Sequence, residues 1–143
     1  SLRFIQRLQT LVIIDFLQQS ILRINENTIR VEKCLSMLTE EQVWSLPLSL
    51  IDLQGENKHA LNSIGNLILH LEGNITHYIN SSLGGADDVR FRVAEFAPNQ
   101  KIGARKLLKR ITKCSTKAVD VIASATEIEL NKKSRALDSE RLK

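Results

Sequence analysis

A chain of 143 residues with 43% apolar and 25% charged side chains is long enough for one hydrophobic core and too short for two ordinary domains. No apolar run reaches the 18 residues of a membrane-spanning helix, and two solitary cysteines, Cys34 and Cys114, do not make a disulfide scaffold or a zinc knot. The formal net charge of +4 is uneven: residues 1–100 hold 8 basic and 11 acidic side chains, residues 101–143 hold 12 and 5.

The first long helix is expected from about Leu11 to Leu38, because Phe16, Ile21, Ile24, Val31, Leu35 and Leu38 recur near the 3.6-residue period. Residues 1–10 carry an apolar stripe without a cap, so they either extend this helix or fray. Arg3 and Arg7 ahead of an apolar patch echo a signal peptide, but no small-residue cleavage site follows, and a cytoplasmic protein is expected. Cys34 and Cys114 sit at helix-periodic positions, as reduced core thiols would. Thr39 opens a short helix as N-cap, with Gln42 completing a capping box. That helix ends near Trp44, whose indole packs it onto the bundle and needs a partner for its N–H.

Residues 48–60 read as a loop lying over the bundle. Asn62 or Ser63 then caps a second long helix that runs to about Ser82 and stops at Gly84-Gly85, where positive φ is inexpensive. Residues 86–99 read as an extended connector, with a short strand or, in preference, a loop pinned by charge pairs. A third long helix is expected from about Lys101 to Ile128, burying Leu107, Leu108, Ile111, Cys114, Ala118, Val121, Ile122 and Ala125. Residues 131–143 are mostly polar and are expected to fray. Three long helices and a short one, with no internal repeat, predict an all-α, up-and-down helical bundle spanning residues 1–143 as one domain.

Chemistry is proposed by the sequence in one place. Between Lys58 and Asp87 the only charged residue is Glu72, and there Asn66, His70, Gly73, Asn74 and His77 share one arc of the second helix. Solvated faces draw on Lys, Glu and Arg, so a polar arc of Asn, His and Gly points to partial burial or a cleft wall. The plain alternative is a hydrogen-bonded structural histidine.

The segment Asn62-Ser63-Ile64-Gly65-Asn66-Leu67-Ile68-Leu69-His70-Leu71-Glu72-Gly73-Asn74, then Leu83-Gly84-Gly85 and the string Asp88, Arg90, Arg92, Glu95 and Phe96, resembles the DinB/YfiT-like superfamily of four-helix-bundle proteins, in particular a bacterial branch of it. Arg30, Glu32, Cys34-Leu35, Leu38-Thr39 and Glu41-Gln42-Val43-Trp44 resemble the first helix and following turn of the same branch. The resemblance covers about residues 12–128. It implies a divalent metal, zinc or nickel, held by one histidine on the second helix and two from an H-x-x-x-H pair on a later one, with His70 matching the first ligand. It also implies a metal-dependent transfer or hydrolysis on a small molecule, with Asn66, Asn74 and His77 lining the pocket. Departure comes at the decisive point, since no histidine follows Cys114. His77 is two turns from His70, about 10.5 Å along the axis, too far to share one tetrahedral ion, and His59 lies in the loop before the helix.

An intact three-histidine site within one chain is therefore not expected, and the chain is read as stopping before a fourth helix. Three amphipathic helices of a four-helix architecture leave an apolar groove open, so a homodimer is expected to close it. Two copies of His70, completed by Glu72 or Glu95, are the remaining route to a metal. Lys101, Arg105, Lys109, Lys113 and Lys117 form a basic ridge on the third helix, read as a solvated face in preference to a nucleic-acid interface because no interleaved aromatics or phosphate loop accompany it. Asp87, Asp88, Arg90, Arg92 and Glu95 are read as ion pairs fixing the connector against neighbouring helices, each exposed pair stabilising by only ~0 to 1 kcal/mol, in preference to a substrate-facing arginine.

Overall fold

In a computed structural model, residues 1–46, 62–97, 100 and 102–125 are described. Among them every regular element is helical: α1 (Leu2–Ser36), α2 (Glu40–Trp44), α3 (Ile64–Ile75) continuing into a π-helical turn (Thr76–Ser81), α4 (Arg92–Glu95) and α5 (Ala104–Ala123). The expected loop at 48–60, with His59, lies outside the described residues, as do Lys101 and the expected tail at 131–143.

The chain starts and stops these helices where local chemistry directs. Thr39 Oγ1 accepts the Gln42 N–H while the Gln42 side chain takes the Thr39 N–H, and Ser63 and Asn66 do the same for α3. The chain leaving the π-helical turn reverses at Gly85, whose φ of 74° suits a residue without Cβ. No acidic residue occupies the first turn of α5. Its N-terminus is served instead from α2: Glu40 accepts the Ala104 N–H with both carboxylate oxygens, at 3.1 and 2.9 Å.

α5 is the centre of the fold and packs against α1, α3 and the π-helical turn. Its inward face is Leu107, Ile111, Cys114, Ser115, Ala118 and Ile122. A core cluster joins Leu107 and Ile111 to Leu35, Val43, Ile68 and Leu69, with Val31, Leu38 and Trp44 packed around it. The last turns of α1 thus meet the first half of α5. Trp44 finds its partner across the bundle, donating its indole N–H to the Ile102 carbonyl at 2.9 Å.

Of the two alternatives for residues 1–10, extension holds: residues 2–10 belong to α1, which no proline or glycine interrupts. Two expectations need correction. The connector is neither a strand nor only a loop: charge pairing between Arg90 and Glu95 pins it, but it contains the one-turn helix α4, which turns Glu95 inward. Cys34 is exposed on α1, whereas Cys114 is buried; both are free.

Candidate functional site

α3 carries the polar arc and α4 closes over it. Asn66, buried on the first turn, is a clamp: its Oδ1 accepts from Ser63, and its Nδ2 donates to the Glu95 carbonyl at 2.9 Å and the Ala97 carbonyl at 3.3 Å. The clamp fixes the end of α4 against α3, delivering the Glu95 carboxylate to His70 one turn further along.

His70 Nδ1 lies 2.8 Å from Glu95 Oε2, and Asn74 Nδ2 lies 3.3 Å from His70 Nε2. One neutral tautomer satisfies both contacts, with Nδ1–H donating to the carboxylate and Nε2 accepting from the amide. Arg90 completes the cluster, donating from Nε to Glu95 Oε1 at 2.7 Å and from Nη2 to Oε2 at 3.1 Å, a two-pronged pair. Its Nη2 stands 3.3 Å from His70 Nδ1. Phe96 packs on the imidazole, ring centroids 5.0 Å apart.

The pair is buried: the Glu95 side chain is 7% exposed and that of Arg90 10%. Burial alone raises the Glu95 pKa, but the bonds from Arg90 and His70 outweigh it and hold the carboxyl below its ordinary value. The same bond from Glu95 raises Arg90. Gly73 belongs to this packing, because a Cβ there would overlap Glu95 Oε1. The Arg90–Glu95 pair does fix the connector against α3, as the ion-pair reading expects, but it is buried where that reading has exposed, weakly stabilising pairs.

His77, one turn beyond Asn74, is engaged separately. Its Nδ1 is 2.6 Å from Asp88 Oδ2 on the surface, and Asp88 Oδ1 accepts the Arg90 N–H. The bond from His77, then that from the Arg90 backbone, holds the Asp88 carboxyl below its ordinary range. Glu72 pairs with Arg110 at 2.8 Å. A cleft of about 220 Å³ lies beside the cluster, lined by Leu69, Glu72, Gly73, Thr76, Arg90 and Phe91 among others, and Asn66, Asn74 and His77 stand outside that lining. Behind it Cys114 touches Thr76, Asn80 and the Glu72 carbonyl, and burial pushes its thiol up. Arg105, Lys109, Lys113 and Lys117 all lie exposed on α5.

The donor set does not fit the metal that the resemblance implies. Among the described residues no three His, Cys, Asp or Glu side chains gather to hold an ion. His70 has one potential ligand beside it, Glu95, and that carboxylate is already matched by the guanidinium of Arg90. The internal cation is organic. Comparison with protein-family models, with curated proteins and with solved structures finds no match to this chain.

Proposed function

We propose that this protein is a DinB-like helical module that acts through self-association, its inward polar cluster serving as a structural clasp in place of a catalytic metal centre. The observation carrying this reading is the surface of α1, a 35-residue helix of which Leu35 alone is buried. Phe4, Leu11, Val12, Phe16, Leu22 and Ile29 all stand exposed on it. α3 adds Leu67 and Leu71, and the π-helical turn Tyr78. Apolar surface on that scale marks an interface. The clasp supports the same reading from inside, since Glu95, Arg90, His70 and Asn74 are hydrogen-bonded to one another.

No described helix is long and apolar enough to cross a membrane. The alternative, a metal-dependent transferase or hydrolase with His70 as ligand, has no donor set among the described residues.

Sedimentation equilibrium over a concentration series tests the proposal. Reversible association in the micromolar range is expected for an interface of ordinary size, and a strict monomer up to about 100 µM overturns it. Stoichiometric zinc or nickel in the parent protein, lost in His70→Ala, would restore the enzyme.

A further inference from the structure

α5 is divided by charge as sharply as by burial. Arg105, Lys106, Lys109, Arg110, Lys113 and Lys117 are all exposed. At 100° per residue they fall in one arc of about 140°, whose centre is turned about 150° from that of the buried residues of α5. From Arg105 to Lys117 the arc runs for about 18 Å at 1.5 Å per residue. Asp120 is the one acidic residue of α5. Among the described residues, Arg110 alone of the six is in an ion pair, with Glu72.

This arrangement works against the helix that carries it. Arg105, Lys109, Lys113 and Lys117 stand four apart, so each repels the next. Arg105 and Lys106 occupy the first turn, where the helix dipole disfavours cations. A face that is merely solvated mixes the two signs and gains from their pairing. A face of one sign, unanswered by acidic side chains among the described residues, is relieved by a polyanion.

From this geometry we infer that the ridge binds the phosphate backbone of a nucleic-acid duplex without reading its sequence. The inference goes beyond the self-association proposed above and does not depend on it. An 18 Å length of duplex presents about ten phosphates to such a row of cations. Apolar contact has no part, because none of the exposed large apolar side chains belongs to α5. The ridge therefore has nothing to sink among lipid chains or to seal the centre of a protein interface. The lack of interleaved aromatics narrows the ligand to double strands: aromatic rings stack on unpaired bases, whereas Arg and Lys suffice to hold a duplex by its phosphates.

Fluorescence anisotropy of the full chain with two labelled duplexes of unrelated sequence tests this. Both should bind with micromolar dissociation constants at about 50 mM salt and lose about a hundredfold in affinity by about 200 mM. Lys109→Glu with Lys117→Glu makes the row alternate in sign. That variant should bind at least about tenfold more weakly while α5 gains stability, seen as a raised urea midpoint, so that lost binding is not lost folding. Arg3→Glu with Arg7→Glu removes the same net charge from α1 and should leave binding within about threefold of the parent. No binding at about 50 mM salt with protein up to about 100 µM overturns the inference. So does an affinity indifferent to salt, an equal loss in the α1 variant, or a preference of more than about tenfold for one sequence. Protein that ignores both duplexes but binds phosphatidylcholine–phosphatidylserine vesicles through Lys109 and Lys117 makes the ridge a membrane-surface patch and sinks the duplex.

Discussion

The clasp on α3 and the first sixteen residues of α1 are opposites. In the clasp nearly every polar group has a partner inside the chain: Asn66 holds α4, Glu95 holds Arg90 and His70, and Gly73 leaves space for the carboxylate. On α1 the apolar side chains have helical neighbours and little else. A region that satisfies its own chemistry has little left for a reactant, while a region with its hydrophobic surface in water invites a partner. On the function proposed above, the outside of this molecule carries the activity and its polar interior carries stability.

Removing the carboxylate at the middle of the clasp is the strongest way to break that contrast. Glu95→Ala leaves Arg90 buried without its counter-ion, and a loss of about 3–5 kcal/mol is expected from urea denaturation. A loss under about 1 kcal/mol would show the cluster to be dispensable to the fold and free for another role. Next comes Gly73→Ala. Inside a helix this change ordinarily stabilises by about 0.5–1 kcal/mol, but here the new Cβ overlaps Glu95 Oε1, so destabilisation of about 1–3 kcal/mol is expected. The sign of that change, read from the urea midpoint, is the test.

The smallest effect is in pH. Glu95 and Asp88 both have folded pKa values held below their ordinary ones. The stability they contribute is fully present above the unfolded carboxylate range, near pH 4, and is lost as pH falls through the depressed folded values. Asp88→Asn should flatten the acid limb of a stability–pH curve slightly, and Glu95→Gln should flatten it more. An unchanged limb in Glu95→Gln would contradict the coupling between burial and pairing.

Much of the scaffold was legible in the sequence because it depends on neighbours. Thr39 with Gln42 announces a helix start through three-residue spacing, Asn62-Ser63 marks another without showing that Asn66 completes its cap, and Trp44 announces a packed indole. The inward tendency of His70 was legible too, from a helix arc without Lys or Arg. What stayed hidden depends on distant partners. Arg90 and Glu95, alternating with Val and Phe, have the pattern of a solvated connector, and only the one-turn helix Arg92–Glu95 turns the carboxylate inward. Gly73 gave the available signal, since a glycine in a helix interior asks what approaches so closely. Glu40 capping α5 across 64 residues left no local trace at all.

The two thiols give the fold built-in reporters. Cys34 stands in solvent on α1, while Cys114 is sealed between α5 and the π-helical turn with its ionisation suppressed. An alkylating probe therefore tags the first at once and reaches the second only when α3 and α5 part company. The delay between the two modifications measures how often this bundle breathes.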